Sequence, residues 1–194
     1  MLGIILCGGQ SSRMGSDKGL IKVQDQTWAQ AAREKMKQLG LPVYISVNNK
    51  QLEEYSALFD PADMIIDDPA LDVHGPLGGV LNVHEHFPMQ DLFVLACDMP
   101  FMELTILQQL LDAYHTDNSD AAFVFTNDGE PEPLCAIYTA RGLTHIRNLH
   151  HQQQLLRHSM KFMLEHLDTC YIPIEEDQKK AFQNFNAHAD LNGL

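Results

Sequence analysis

The chain has 194 residues, one domain's worth, long enough to bury about two-thirds or more of its unfolded surface in a single core. Thirteen Lys and Arg against 26 Asp and Glu leave a formal charge of -13, the wrong sign for coating a phosphate backbone or an anionic membrane, so neither nucleic acid nor membrane is expected as a partner. No run of 18 apolar residues occurs and the first residues lack the basic, apolar and small-residue regions of a signal peptide, which predicts a cytosolic, cytoplasmic protein.

Leu2 to Cys7 is short, branched and apolar on both faces, as a central strand of a parallel sheet would be. It runs into the polar, glycine-dense loop "LCGGQSSRMGSDKGL" at 6–20. Thr27-Trp28-Ala29-Gln30 fits a capping box, and Trp28, Ala32, Lys35, Met36 and Leu39 fall on one helical stripe that stops at Gly40. Val43 to Val47 reads as the next strand, Gln51 to Leu58 as a helix, and Met64 to Ile66 as a third strand ending in Asp67-Asp68-Pro69. After a turn through Gly75 to Gly79, Leu81, His84 and Phe87 suggest a helix, and "LFVLAC" at 92–97 is the strongest strand signal, leading straight into Asp98-Met99-Pro100. A helix from about Thr105 to Tyr114 precedes strands Ala121 to Phe125 and Leu134 to Tyr138. These are joined by a connection too short for a crossover helix and so expected to pair antiparallel. The remainder reads as helices from about Arg141 to Leu149 and Gln152 to Leu167, a strand Cys170 to Ile174, and a short closing strand and helix.

Strands alternating with helices at these spacings imply an α/β fold of three layers, α/β/α, with a mostly parallel sheet, built as one domain over 1–194. Ligands of such sheets bind at the carboxyl ends of strands, which directs attention to the first loop, Asn48, Asp68 and Asp98. The loop is neither a P-loop, since Lys18 comes three positions after Gly15, nor a G-x-G-x-x-G fingerprint. What remains is a backbone nest: Gly8 and Gly9 allow close approach and leave amide N–H groups for anionic oxygens, with Arg13 and Lys18 suited to the charge of a polyphosphate. An ordinary surface turn with solvated charges is the competing reading. Asp98, after a strand and before Pro100, reads as a functional carboxylate rather than a helix N-cap.

The four cysteines, Cys7, Cys97, Cys135 and Cys170, form no C-x-x-C pair and each sits in or at the end of an apolar run, which predicts reduced, mostly buried thiols. The ten histidines lack zinc-like spacing and read as surface decoration of helices, with His74, just before Gly75, the exception that could reach a substrate cleft. Met160 and Met163, at helical spacing, read as core.

The string at 6–20 resembles the signature L-x-G-G-x-S-x-R-M-G-x-D-K-x-L of the molybdenum cofactor guanylyltransferases, the MobA family. The likeness continues in order through "ISVNN" at 45–49, "IIDD" at 65–68, "GPLGG" at 75–79, "LACDMP" at 95–100, "EPLCAIY" at 132–138 and "NFNAHADL" at 184–191. The resemblance implies a Rossmann-like nucleotidyltransferase of the glycosyltransferase-A type that moves GMP from GTP to the terminal phosphate of molybdopterin, in its free or molybdenum-loaded form, and releases pyrophosphate. It implies a nucleotide-contacting segment at Leu6, Cys7 and Gly8, a phosphate-binding Lys18, a guanosine pocket at Asn48 and Asp68, and a magnesium ligand at Asp98. It further implies an acceptor-side pair at Asn184 and Asn186, and transient contacts with the molybdenum-inserting enzyme and client apoenzymes. Asp68 rather than Asp67 takes the family position when counted back from Gly75-Pro76-Leu77. Guanine's N1–H and N2 donors and O6 acceptor suit backbone groups of the first loop and of the turn beginning at Gly75, and Gly8-Gly9 stands where cytidylyltransferase relatives tend to show Ala-Gly. Two departures are Cys7 for the commoner alanine and Ala187-His188-Ala189 for Thr-Pro-Glu. Transfer of another nucleotide (CMP to molybdopterin, or a nucleotide to a sugar phosphate) and a catalytically silent cofactor-delivery domain are the alternatives.

Overall fold

A central strand, β1 (Leu2–Leu6), is buried along its whole length, with Leu2, Ile4 and Leu6 facing one apolar layer and Ile5 facing the other. Alternation at period two puts both faces of this strand in contact with helices, so it needs apolar side chains at every position. In the computed structural model of the chain, residues 1–8, 17–23, 25–116 and 120–183 are described; Gly9, Arg13, Asn184 and Asn186, all expected at the site, lie outside them.

After β1 a small ribbon, β2 (Lys22–Val23) with β3 (Gln26–Thr27), precedes helix α1 (Trp28–Gln38). The capping box forms as expected: Gln30 N–H donates to Thr27 Oγ1 at 3.2 Å and Thr27 N–H donates to Gln30 Oε1 at 3.0 Å. Gly40, past the end of α1, takes a φ of 77°. Then follow β4 (Val43–Val47), α2 (Leu52–Ser56), β5 (Met64–Ile66), α3 (Pro76–His86), β6 (Leu92–Ala96), α4 (Leu104–Thr116), β7 (Ala122–Asn127), β8 (Glu130–Tyr138), α5 (Ala140–His151), α6 (Met160–Leu164) and β9 (Thr169–Pro173). The main sheet has the order β5-β4-β1-β6-β8-β7-β9, parallel throughout except where β8 pairs antiparallel with β6 and β7. The expected mostly parallel sheet and its antiparallel pair are both present.

Residues of α1, α2 and α4 (Ala29, Met36, Tyr55, Leu107, Leu110) join one core, and those of α3, α5 and α6 (Leu77, Val80, Leu143, Met163) join the other, so the helices form two layers around the sheet. The chain steps from β1 to β4 and β5 on one side and returns to β6 on the other. The strand order therefore reverses at β1, and the crevice at the carboxyl ends of β1 and β6 is the place a ligand would enter.

Three local expectations are corrected. "GPLGG" is not a turn through Gly79: Gly75 has φ 70° and serves as N-cap, Pro76 opens α3, and the next two glycines let the helix lie close to its surroundings. A Cβ on Gly79 would stand 2.9 Å from Ser46 Oγ, and one on Gly78 would meet the Val73 carbonyl. Gln152 to Leu167 is not one helix. Instead α5 runs on to His151, Gln153 turns the chain with a φ of 58°, and a new helix starts only at Met160 under the Ser159 cap, whose Oγ accepts from Phe162 N–H. Among the described residues the segment after β9 is a 3-10 helix, Glu176–Phe182, where a closing strand was expected, and the expected last helix lies outside them. In the hairpin, Asp128 and Gly129 both have positive φ and make a two-residue turn, and β8 continues back to Glu130. Pro131 and Pro133 are tolerated there because β8 pairs with β6 only from Cys135 onward.

Candidate active site

β1 and β6 stop in register, Leu6 opposite Ala96, and the next residues on each strand, Cys7 and Cys97, continue side by side with Cys97 N–H donating to Leu6 O at 3.1 Å. Beyond them Gly8 and Asp98 open a cleft lined by Leu6, Cys7, Gly8, Lys18, Cys97 and Asp98, with Asp17, Ala96, Pro76 and Leu134 completing its walls. Five of the residues expected to hold a nucleotide therefore share one cavity. Gly75 does not line it but is the cap residue immediately before Pro76, which does.

Lys18 and Asp98, 80 residues apart in sequence, meet in this cleft: Lys18 Nζ donates to Asp98 Oδ2 at 2.9 Å, each side chain 18% exposed. Asp98 lies well before the first residue of α4 and caps no helix, which leaves its carboxylate to the cleft. A hard oxygen ligand of this kind fits magnesium, which is usually held by one or two carboxylates together with waters and substrate phosphates.

The neighbouring strand ends carry the other expected contacts. Asn48, after β4, accepts from Lys50 N–H through Oδ1 at 2.9 Å and donates its own N–H to Gln51 Oε1 at 2.9 Å. Asp68, after β5, is exposed and uses Oδ1 to accept from Ala70 N–H at 2.8 Å, capping the short turn Pro69–Leu71. Asp67 faces inward: Ser46 Oγ donates to its Oδ1 at 3.5 Å, its Oδ2 lies 3.1 Å from where a Gly8 Cβ would stand, and burial raises its pKa against the lowering effect of Ser46. Neither Asn48 nor Asp68 lines the cleft itself; they flank it along the sheet.

His74 is exposed and does not line the cleft; its backbone N–H donates to His158 Nδ1 at 3.3 Å and its ring lies 5.6 Å from that of His158. His84 is no surface residue: it is 1% exposed inside α3, with Nε2 at 3.2 Å from Thr144 Oγ1 of α5. Cys7, Cys97 and Cys135 are buried free thiols, Cys170 is half-buried, and Met160 and Met163 are core, as expected.

Three site residues escaped the sequence reading: Asp17, Gln51 and Tyr55. Asp17 precedes Lys18 and caps the 3-10 turn Lys18–Leu20, accepting from Gly19 N–H at 2.8 Å. Gln51 donates from Nε2 both to Cys7 O, at 2.8 Å, and to Asp17 Oδ2, and Tyr55 OH donates to Asp17 Oδ1 at 3.0 Å. The one available signal was the spacing Asn48-x-x-Gln51, which is that of a polar cap answered three residues on by an amide.

A family model described as the MobA-like NTP transferase domain matches residues 3–170. The chain belongs to that family. A molybdenum cofactor guanylyltransferase from Histophilus somni is 28% identical over 97% of this chain and 92% of its own length. The crystal structure of the molybdopterin-guanine dinucleotide biosynthesis protein A from Archaeoglobus fulgidus matches with a TM-score of 0.79 and 25% identity, covering 100% of this chain and 96% of that one. The same fold, at 14% identity and a TM-score of 0.71, occurs in a CMP:2-keto-3-deoxy-manno-octonic acid synthetase solved with CTP, which covers 99% of this chain and 95% of that one. Family membership thus agrees with a cleft placed where sheets of this kind bind nucleotides.

Proposed function

We propose that this member of the family transfers GMP from GTP to the terminal phosphate of molybdopterin. The observation that carries the reading is the convergence of Gly8, Lys18 and Asp98 in one cleft at the carboxyl ends of β1 and β6. An oxygen of the acceptor's phosphate attacks the α-phosphorus of GTP, the bond from that phosphorus to the β-phosphate oxygen breaks, and pyrophosphate leaves. The acceptor supplies the nucleophile, so the protein's task is to align two anions and to neutralise the charge that grows on the leaving group.

Lys18 takes the phosphates, together with Arg13 and the amides at Gly8 and Gly9. Asp98 is the carboxylate that would hold magnesium, and the bound ion would draw charge from the phosphate oxygens as the bond breaks. Leu6 and Cys7 provide the backbone wall beside the nucleotide, Asn48 and Asp68 hold the guanosine side from the adjacent strand ends, and the backbone at Gly75 contributes to reading guanine. Asn184 and Asn186 serve the acceptor side. A cytoplasmic setting, and hand-over from a molybdenum-inserting enzyme to client apoenzymes, accompany this reading.

The test is a thermal-shift panel of GTP, ATP, CTP and UTP, with and without magnesium, followed by transfer to molybdopterin. A ligand at a hundredfold excess over its Kd stabilises by about 2.7 kcal/mol. GTP is expected to give the largest shift, dependent on magnesium, and Asp98→Ala is expected to lose that dependence and nearly all transfer. A larger shift and faster turnover with CTP, or full transfer by Asp98→Ala, would sink the reading.

A further inference from the structure

Two carboxylates line the cleft with Lys18, its sequence neighbour Asp17 and the facing Asp98, and the Lys18 ammonium pairs with Asp98. Asp17 is satisfied by other donors. Gly19 N–H and Tyr55 OH both donate to Oδ1, and Gln51 Nε2 donates to Oδ2. Gln51 is 7% exposed and spends its whole amide on the site: Nε2 donates to Cys7 O as well as to Asp17, and Oε1 accepts from Asn48 N–H. One side chain therefore ties together the end of β1, the residue after β4 and the returning limb of the first loop. Tyr55 is fully buried one turn further along the same helix, and burial, with Cys7, Cys97 and Asp17 nearby, pushes its phenol far up, so it stays a donor. Gly19 completes the fit, because a Cβ there would overlap the Tyr55 hydroxyl.

We propose that Gln51 and Tyr55 are positioning residues that, by saturating Asp17, reserve the Lys18 ammonium for the cleft and fix the backbone of Cys7 beside it. The inference rests on the nucleotidyl-transfer reading. Without these donors the Asp17 carboxylate would compete with Asp98 for Lys18, and the cation would leave the side of the cleft where leaving-group charge develops. The loss should fall on kcat more than on KM, as for an interaction that matters most in the transition state.

Steady-state transfer would be measured for the wild type with each of the four nucleotides, then for Gln51→Glu, Asp17→Asn, the double variant and Tyr55→Phe on whichever nucleotide the wild type uses, with thermal midpoints for all. Gln51→Glu is near-isosteric and keeps the acceptor for Asn48 N–H, but it sets a carboxylate against Asp17. Its kcat is expected to fall by about tenfold or more, and Tyr55→Phe by a few fold, with KM changing less. In the double variant the new amide at position 17 can donate to the new carboxylate at position 51, so that hydrogen bond returns reversed while the donor to Cys7 O stays lost, and part of the lost kcat should return. A folded Gln51→Glu with unchanged kcat, or a folded double variant no better than Gln51→Glu, overturns the proposal. If Gln51→Glu does not fold, Tyr55→Phe decides: reduced kcat at near-constant KM supports the proposal and unchanged kcat overturns it. A wild type that prefers another nucleotide sinks the functional reading alone, since the variants are still compared on that nucleotide; one that turns over none sinks both.

Discussion

Asp67 and Asp68 follow one another at the end of β5 and meet opposite surroundings. Asp68 is exposed and caps its own turn, whereas Asp67 is turned toward Ser46 and Gly8. Because burial raises the pKa of Asp67, the folded state holds its proton more tightly than the unfolded chain does. The stability it contributes is present below the ordinary carboxylate range and is lost as pH rises through the raised value, so at pH 7 the charge is a cost. Asp67→Asn should therefore raise the thermal midpoint at pH 7 and leave the KM for GTP within a few fold. Asp68→Asn keeps the cap, since Asn caps as well as Asp, and should raise that KM by about tenfold, equivalent to about 1.4 kcal/mol, with kcat nearly unchanged. Steady-state kinetics on the two variants checks the pair. The reverse pattern would move the guanosine contact to Asp67. Lys18, Asp98 and Gly8 were legible because each belongs to a motif of recognisable residue types. Gln51 and Tyr55 were not, because a hydrogen bond spanning 34 residues from Asp17 to Gln51 leaves no trace in local spacing.

α3 shows what element-level patterning reveals and what it hides. Its start is hidden by glycines that read as a turn through Gly79, and its buried residues, Leu77, Val80, Leu81, Val83 and His84 among them, spread widely round the helix because it packs on both the sheet and α5. A periodic stripe is the signal of a half-exposed helix, so the burial of His84 could not be read from it. Burial holds the imidazole pKa below its usual value, outweighing the raising effect of Glu85, and Arg147 lowers it further. Above pH 6.5 folded and unfolded chains both carry it neutral; below, the unfolded chain gains a proton that the folded one resists, so stability falls on acidification, by at most about 1.4 kcal/mol per pH unit from this residue. Urea titrations at pH 7.5, 6.5 and 5.5 should show a shallower fall for His84→Gln than for the wild type; parallel falls would clear His84 of the effect. The failed helix over 152–167 has a related cause. Leu155, Met160, Met163 and Leu164 are all buried at helix-like spacing, but Gln153 takes a left-handed conformation that no glycine or asparagine announces. The Thr27 capping box, by contrast, was legible because both partners of its hydrogen bonds lie within four residues.

At the scale of the whole molecule, the sheet divides two cores and the functional cleft lies where its strand order reverses, a position that the alternation of strands and helices already implied. The order of the strands beyond β6 was not implied, because β9 reaches its place beside β7 through the broken segment after α5. The end of the described chain ties this far side of the sheet to the α1 and α4 layer. Phe182 is buried with its ring 5.2 Å from Phe125, Lys180 Nζ lies 4.6 Å over the Phe101 ring close behind Asp98, and Gln178 donates to Gln109 of α4 at 3.0 Å. A segment held by one large aromatic anchor should respond to its loss as a core position does. Phe182→Ala is expected to cost about 3–5 kcal/mol, on the order of 10 °C in thermal midpoint for a domain of this size. Chemical denaturation of the variant checks this, and a loss below about 1 kcal/mol would mean that the segment is surface decoration rather than core. Its activity, assayed well below the lowered midpoint, separates two roles. An unchanged kcat would make the anchor one of stability alone, whereas a kcat reduced in protein that is still folded would mean that the route from Phe182 toward Asn184 and Asn186 has to be held for transfer to occur.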